Sequence, residues 1–367
     1  MKILLNLIGG QPAPIYIATR LIDPDLNIMI YSKDSEKQNQ KLMETLPGYN
    51  YEAFLVNPYD YDDCVGVLKE VTKKYIGSEL ILNPTSGTKI MSFAGFKLFS
   101  DLKKDILYID SQNHKSIFFK KGMTPIIDKI NLSFPIKDYF SIYGYLIETG
   151  DPRFPDNETY YKIRKFMHEN YFQFKYLISK INIQIYNKVS IIDCNDDTGN
   201  LYFTYNIEEE KGLFRIKRGR KETSLEINKK NEFDYLLGYW MEDFVFYKFS
   251  ELKLFDELLM NVKIYTVRDN LQPEYQNEFD ICGIKDQTVY IFECKTGNLD
   301  KGIVEKLRLI KNLTGTYSKI NLITLFRPVE SAAKERIKDF KIKHINLNEL
   351  EEFINEFKNQ KDTNPNL

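Results

Sequence analysis

The stretch Asn277–Gly297, NEFDICGIKDQTVYIFECKTG, decides how the C-terminal half of the chain folds. Residues 278–284 and 288–294 are rich in β-branched and aromatic side chains, which is typical of β-strands. Gly283, Lys285, Asp286 and Gln287 make a plausible turn where the two segments meet, so the stretch predicts a β-hairpin. Because side chains alternate along a strand, Glu293 and Lys295 face one side, and a closed hairpin brings Asp280 beside Glu293.

This convergence of two carboxylates and an amine suits metal-assisted hydrolysis of a phosphodiester. Asp280 and Glu293 supply the hard oxygen ligands that Mg²⁺ or Mn²⁺ prefers, and the backbone carbonyl of Cys294 is the expected third ligand. Lys295 is placed to orient a water molecule or to stabilise developing charge. The alternative is a solvated hairpin with ordinary surface charges, but apolar residues flank these charges closely, and a buried acid needs a partner or an ion.

The hairpin resembles that of the restriction-endonuclease-like nucleases, the PD-(D/E)xK superfamily. Asp280, Glu293 and Lys295 match its motif, and Phe279 stands where the motif usually has Pro. The resemblance implies a further catalytic Glu from an earlier helix. Glu242, in the amphipathic segment GYWMEDFVFYKF, is the candidate, and a solvated helix residue is the alternative for it.

Composition restricts the class of protein. The formal net charge is −1 over 367 residues, so any nucleic-acid binding must use local basic patches. The four cysteines lack zinc-ligand spacing, which predicts reduced thiols and a cytoplasmic location. The apolar N-terminal run is short and reads as a buried strand rather than a signal peptide, and no segment is long and apolar enough to cross a membrane.

The first 120 residues alternate between strand and helix patterns. Strands are expected at residues 2–8, 27–32, 51–56, 79–82, 106–109 and 116–120, with helices at 13–21, 35–45, 60–75 and 88–102. This order is typical of an α/β fold in which a mainly parallel sheet carries helices on both faces.

Two glycine-containing loops follow the first and fourth of these strands, which are usual neighbours in a doubly wound sheet. Ligands bind where such neighbouring strands end. The candidate ligand-binding residues are Gly9, Gly10, Gln11 and Pro12 in the first loop and Thr85, Ser86, Gly87, Thr88 and Lys89 in the second. Backbone N–H groups, hydroxyls and an ammonium suit phosphate. The alternative is an ordinary loop in which Thr88 caps the following helix.

The N-terminal region resembles the CARF domain, the Rossmann-like sensor of cyclic oligoadenylates in type III CRISPR systems. The sequence NPTSGTKIM is similar to that family's ligand loop, with Ser86 in place of a Gly. With the hairpin, the whole chain resembles the CARF–nuclease effectors of type III CRISPR defence. The resemblance implies a homodimer that binds cyclic tetra-adenylate and a Mn²⁺- or Mg²⁺-dependent nuclease, and it leaves open whether the substrate is DNA or RNA, single- or double-stranded.

These patterns predict four segments. A CARF domain is expected at residues 1–147, a linker at 148–160, a restriction-endonuclease-like α/β domain at 161–358 and a disordered tail at 359–367. Residues 139–146 read as a strand or a dimer element.

A basic segment precedes the catalytic hairpin. Residues 211–230 contain eight Lys or Arg and two Glu, which makes this segment the best candidate for a nucleic-acid contact. The candidate contact residues are Arg215, Lys217, Arg218 and Arg220. A solvated hairpin is the alternative.

Two other functions stay open at the level of sequence. A CARF-type transcription regulator would need a helix-turn-helix, for which residues 158–186 are the candidate. A restriction or repair nuclease without a nucleotide activator would use the N-terminal domain to recognise DNA.

Overall fold

The structure is a computed structural model of the chain. It describes residues 1–120, 123–150, 154–266, 272–296, 301–315, 318–325, 335 and 337–359, without the side chains of residues 175, 176, 179, 301, 304 and 312.

The N-terminal sheet has seven strands. They are β1 (Lys2–Leu7), β2 (Leu26–Tyr31), β3 (Tyr51–Leu55), β4 (Glu79–Asn83), β5 (Asp105–Asp110), β6 (Lys115–Phe119) and β7 (Ile126–Lys129), in the order β3-β2-β1-β4-β5-β6-β7. The first five are parallel, and β6 and β7 are added antiparallel. The helices between them are α1 (Ala13–Ile22), α2 (Glu36–Thr45), α3 (Tyr61–Lys74) and α4 (Lys89–Asp101). The alternating strand–helix prediction is confirmed, and β7 is an additional strand.

Strands β1 and β4 are neighbours, as the sequence predicts for a doubly wound sheet. Their register pairs Asn6 with Asn83, so both strands end at the same edge. The Asn83 amide donates to Asn6 Oδ1 at 2.9 Å, and both side chains are buried. The ends of β1 and β4, where the two loops begin, are therefore held side by side.

The middle of the chain connects two further sheets. It contains α5 (Ile136–Ile142), β8 (Tyr145–Thr149), α6 (Glu158–Tyr186), β9 (Ile191–Asn195), β10 (Leu201–Asn206), β11 (Lys211–Arg218) and β12 (Lys221–Ile227). Strands β9 to β12 form an antiparallel meander. The expectation of a strand at 139–146 is wrong for residues 139–144: Tyr139 and Phe140 lie on α5, where their rings pack into the core, and β8 begins at Tyr145. The alternative of a dimer element stays a prediction.

The third sheet carries the hairpin that contains Asp280, Glu293 and Lys295. After α7 (Lys230–Asp234), a π-helical turn (Tyr235–Tyr239) and α8 (Trp240–Glu251) come β13 (Glu257–Thr266), β14 (Glu274–Lys285), β15 (Thr288–Lys295), α9 (Lys301–Leu313), β16 (Lys319–Thr324), β17 (Lys343–Asn346) and α10 (Leu350–Asn359). The sheet order is β17-β16-β15-β14-β13-β8. Strand β8, which follows the N-terminal region, is thus an edge strand of this sheet.

One hydrophobic core joins the first and third sheets through α5. The rings of Phe140 and Phe279 lie 5.9 Å apart, and Phe279 is the residue before Asp280. The Tyr139 hydroxyl donates to the Thr314 carbonyl at 2.6 Å. The buried residues of this core come from α1, α5, α9 and both sheets. The N-terminal sheet and the hairpin are therefore packed against a common element.

Two predictions concern the ends and the surroundings of the chain. Asn359, the first residue of the expected tail, ends α10, and residues 360–367 lie outside the described residues. In the described part of the chain, no helix combines the length and apolar character needed to cross a bilayer.

Candidate active site

The hairpin β14–β15 closes through a tight turn at Asp286 and Gln287. Both residues have positive φ, 46° and 62°, the backbone geometry that matches the twist of a two-residue hairpin. Neither residue is Gly, so contacts must hold the turn. The Asp286 amide donates to Asp256 Oδ2 at 3.0 Å, and the Gln287 side chain donates to the Leu132 carbonyl at 2.9 Å. The turn of the catalytic hairpin is thus fixed partly by the N-terminal region.

The register of the hairpin brings the two carboxylates together. Ile281 pairs with Phe292, so Asp280 lies opposite Glu293 one position further along. The Cys294 amide donates to Asp280 Oδ2 at 2.7 Å, which fixes the Asp280 carboxylate against β15. The geometry expected from the sequence is present.

Glu293 is fully buried and is contacted by two ammonium groups. Its Oε1 lies 2.8 Å from Lys295 Nζ and 2.6 Å from Lys306 Nζ. Its other carboxylate oxygen, Oε2, is buried and has no hydrogen-bond partner among the described residues. A buried charged oxygen without a partner is costly, so Oε2 marks a position that favours a cation or a donor.

The charged groups of the site shift one another's pKa values. Burial raises the pKa of Asp280, and the neighbouring Glu293 charge raises it further. Burial opposes the charged form of Lys295, but the carboxylates of Asp280 and Glu293 outweigh it and raise the Lys295 pKa above its ordinary value. The two carboxylates repel each other, and Lys295 stays a cation between them.

Glu242 lies on α8, in the first turn of the helix. Its charge contributes to the raised pKa of both Lys295 and Cys294, so it belongs to the electrostatic surroundings of the site. Its catalytic role stays a prediction.

The residues present fit a hard divalent cation. The donor set consists of carboxylate oxygens, one of them unpartnered, and two repelling acids are stabilised by a shared cation. Within the described ranges, no group of three or more His, Cys, Asp or Glu side chains is arranged to hold a metal ion. The Cys294 carbonyl as a third ligand stays a prediction.

Lys306 was missed by the sequence analysis. It lies on α9, eleven positions after Lys295, and reaches back to Glu293. Several lysines occur on and around this amphipathic helix, and nothing in their spacing distinguishes Lys306. Only the packing of α9 against the sheet brings its side chain to the site.

The two glycine-containing loops of the N-terminal sheet touch each other through Ser86. The Ser86 hydroxyl donates to the Gln11 carbonyl at 2.6 Å and accepts from the Gly9 amide at 3.2 Å. A Cβ at Gly9 would lie 1.9 Å from the Ser86 carbonyl oxygen, so only Gly fits there. Pro12 is buried at the start of α1, and Gly87 packs against Leu7. The loops form one unit.

The hydroxyls of the second loop already have protein partners. Thr85 Oγ1 accepts from the Ile109 amide at 2.9 Å. Thr88 Oγ1 accepts from the Met91 amide at 3.2 Å as the N-cap of α4 and donates to the Pro58 carbonyl at 2.6 Å. Lys89 is exposed in the first turn of α4. Of the predicted ligand groups in this loop, Lys89 and the backbone amides are the best placed for an external anion.

Replacing Gly9 by Ala is expected to weaken ligand binding at these loops by about 10- to 100-fold, because the added methyl group forces the two loops apart at a cost of about 1–3 kcal/mol. Calorimetric titration with cyclic tetra-adenylate measures this change. Gly48→Ala is the matched control, since a Cβ there meets nothing within 4 Å. Equal affinity in the Gly9 and Gly48 variants would contradict the expected contact between the loops and the ligand.

The basic segment forms the hairpin of β11 and β12. Arg215 and Lys217 share the face of β11 opposite to the buried Phe214 and Ile216. Their ion pairs with Glu222 are long, 3.8 Å each, and partly exposed, so they contribute little to stability. Arg218 instead donates to Asn170 Oδ1 on α6 at 3.0 Å. The fourth predicted contact residue, Arg220, is exposed in the turn after Gly219.

Reversing Arg215, Lys217 and Arg220 to Glu is expected to weaken nucleic-acid binding and to flatten its salt dependence. Each lost phosphate contact removes about 0.7–0.9 from the slope of log affinity against log salt. Fluorescence anisotropy at several salt concentrations measures the slope. Reversal of three exposed lysines elsewhere, Lys69, Lys73 and Lys103, is the control for net charge. If both triple variants change the slope equally, the segment makes no specific contact.

Comparison with protein families identifies both halves of the chain. The model of the Card1 CARF domain matches residues 3–139, and the model of the Card1-like endonuclease domain matches residues 229–363. The chain combines a Card1 CARF domain with a Card1-like endonuclease domain. The CARF match contains both glycine-containing loops, and the endonuclease match contains Asp280, Glu293, Lys295 and Lys306. The resemblances stated from the sequence are confirmed.

Solved structures share this architecture. Can2 from Sulfobacillus thermosulfidooxidans, in complex with cyclic tetra-adenylate, has a TM-score of 0.77 at 17% identity, covering 97% of this CARF endonuclease and 99% of Can2. Protein VC1899 from Vibrio cholerae has a TM-score of 0.74 at 16% identity over 97% and 98% of the two chains. A type III CRISPR defence DNA nuclease activated by cyclic oligoadenylate has a TM-score of 0.53 at 12% identity over 92% of this chain and 51% of its own. At these identities the likeness shows the fold alone. A search of curated protein sequences finds no match.

Proposed function

We propose that this CARF endonuclease hydrolyses phosphodiester bonds of nucleic acid with Mn²⁺ or Mg²⁺ and that cyclic tetra-adenylate activates it in type III CRISPR defence. The observation that carries the catalytic part is the buried Glu293 carboxylate opposite Asp280, with one unpartnered oxygen. Most buried polar atoms have a hydrogen-bond partner, so an unpartnered carboxylate oxygen beside a second acid favours a bound cation.

The roles of the residues follow from the contacts. Asp280, Glu293 and the Cys294 carbonyl would hold the cation, and Glu242 contributes negative charge beside them. When bound, the metal polarises the phosphoryl group and acidifies a water molecule. Lys295 remains protonated because both carboxylates favour its charge, so it stabilises negative charge on the reacting phosphate.

The proposed ligand site is the pair of loops joined by Ser86. The backbone amides of residues 10, 11 and 86–88, with Lys89, would take phosphates at the carboxyl edge of β1 and β4. A cyclic oligonucleotide with rotational symmetry is best held by two equal sites, which favours an isologous homodimer with one ligand. The cyclic tetra-adenylate bound by Can2, whose fold this chain shares, supports the choice of ligand.

Direct contacts between sensor and hairpin support coupling between the two domains. Glu257 on β13 accepts from the Ile136 amide at the start of α5 at 2.6 Å. Lys129 of β7 lies 3.5 Å from Asp286 in the hairpin turn. A ligand shifts the equilibrium between inactive and active arrangements only by as much as it prefers the active one. These contacts would transmit a change in the sensor to the hairpin.

A nuclease assay tests the proposal. Purified protein is incubated with single- and double-stranded DNA and with RNA, with and without cyclic tetra-adenylate and with Mn²⁺, Mg²⁺ or excess EDTA. We expect cleavage only with both activator and metal, and calorimetry should give one ligand per two chains. Equal rates without ligand, or cleavage in EDTA, would contradict the proposal.

The fold removes the main support for a transcription regulator. Residues 158–186, its candidate helix-turn-helix, form the single continuous helix α6. A helix-turn-helix needs a turn between two helices, and α6 has none.

A further inference from the structure

A cavity of about 1020 Å³ lies between the first ligand loop and the endonuclease domain. Its walls come from both domains: Gly10, Gln11 and Tyr143 on the sensor side, and Arg308, Lys311, Gly315, Asp339, Phe340 and Lys341 on the endonuclease side. Its volume is at the upper end of the range usual for small-molecule sites. The cavity is therefore large enough for part of a nucleotide ring.

The endonuclease wall is positively charged. Three cations, Arg308, Lys311 and Lys341, face one carboxylate, Asp339. Lys311 donates to the Phe340 carbonyl at 2.7 Å, and Arg308 is held by Glu305 at 3.2 Å and lies 5.8 Å from the Phe340 ring. Two of the three cations are thus already oriented by neighbouring groups.

Two cations of this wall, Lys311 and Lys341, repel each other. Burial lowers the pKa of Lys311, and the charges of Lys341 and Lys319 lower it further. An anion in the cavity would relieve this repulsion. A guanidinium and an ammonium both bind phosphate oxygens through charge-assisted hydrogen bonds.

We infer that Arg308, Lys311 and Lys341 complete the activator site from the endonuclease side by binding phosphates of the cyclic oligoadenylate held at Gly10 and Gln11. The inference rests on the proposed function and adds residues outside the CARF domain. The nucleic-acid substrate is the less favoured occupant, because the opposite wall is formed by the first ligand loop.

The position of these cations on α9 connects the cavity to the active site. Arg308 and Lys311 are three residues apart and share one side of the helix, whereas Lys306 lies across the buried stripe of Leu307 and Ile310 and contacts Glu293. Lys306 and Lys311 are separated by about 7.5 Å along the axis. A phosphate bound by Arg308 and Lys311 would therefore act on the same helix whose Lys306 contacts the Glu293 carboxylate.

The sensor also touches the end of α9. A Cβ at Gly315, which has φ +79°, would lie 2.8 Å from the Tyr143 hydroxyl. The same hydroxyl donates to Gln11 Oε1 at 3.4 Å. Tyr143 thus lies between the first ligand loop and the residues that follow α9. A shift of one wall of the cavity would therefore displace the other.

The test compares wild type with the double variant Arg308→Gln, Lys311→Gln in calorimetry with cyclic tetra-adenylate and in the activated nuclease assay. We expect the affinity of the double variant for cyclic tetra-adenylate to fall at least about tenfold, because two charge-assisted contacts are lost. The activator concentration for half-maximal cleavage should rise by the same factor. The control is Lys338→Gln, Lys358→Gln, which removes two exposed charges outside the cavity. Lys341→Asn is a second variant for use if the double variant unfolds, since Asn tolerates the positive φ of Lys341.

The outcomes separate this inference from the proposed function. If wild type neither binds the ligand nor responds to it, the proposed function fails and the inference with it. If wild type responds and the cavity variants match the control, only the inference is overturned. A normal activator affinity with a raised KM for nucleic acid would assign the cavity to substrate and would overturn it too. Lys306→Met should bind the activator as wild type does; an equal loss of binding there would overturn the inference, because the loss would not depend on the cations of the cavity.

Discussion

Glu293→Gln is expected to reduce cleavage below about one thousandth of the wild-type rate, the scale of effect when a group acting on the reacting charge is lost. The amide keeps the volume of the side chain but removes the negative charge that Lys295 and Lys306 share. It also replaces one of the two carboxylates proposed to hold the metal. Initial rates with saturating activator and Mn²⁺ measure the loss, and Asp280→Asn should behave in the same way.

Two further measurements make this result specific. Activator binding by calorimetry should be unchanged, because Glu293 contacts Lys295 and Lys306, and neither is proposed to bind the activator. Thermal unfolding should show a folded protein with some loss of stability, since two ammonium groups lose their common carboxylate. Glu352→Gln, an exposed residue of α10, is the control. Activity within tenfold of wild type in the Glu293 variant would refute the proposed site.

Lys295→Ala is expected to lower turnover by about 10²–10³, the usual effect of removing one donor that stabilises transition-state charge. Lys295 is about one-third exposed at 32%, so it is accessible to a substrate phosphate while it contacts Glu293. The expected change is in kcat with little change in KM, because the interaction strengthens only as charge develops.

The pattern of kinetic constants distinguishes the possible roles of Lys295. If kcat/KM falls by the same factor only because KM rises, Lys295 is a phosphate anchor that binds the substrate in its ground state. A loss of activity accompanied by unfolding would make it a structural counter-ion of Glu293. Lys358→Ala, an exposed lysine of α10, should leave both constants unchanged.

The sequence by itself determined the features that depend on local pattern. The alternation of apolar strands and amphipathic helices predicted β1 to β6 and α1 to α4, because strand and helix periods are properties of neighbouring residues. The period of two along β15 put Glu293 and Lys295 on one face, and the short turn put Asp280 opposite Glu293. The loops GGQP and NPTSGTK were found for the same reason, since each directly follows a strand.

Only the tertiary structure decided which distant residues meet. Lys306 contacts Glu293 because α9 packs beside β15, and no spacing in the sequence encodes that contact. Residues 139–146 were misread because they contain the end of the short helix α5 and the start of β8, so neither period extends over the whole stretch. The cavity between Gln11 and Arg308 joins residues almost 300 positions apart. Such contacts are set by the docking of one sheet on another through a common core, whereas local sequence specifies only the elements that dock.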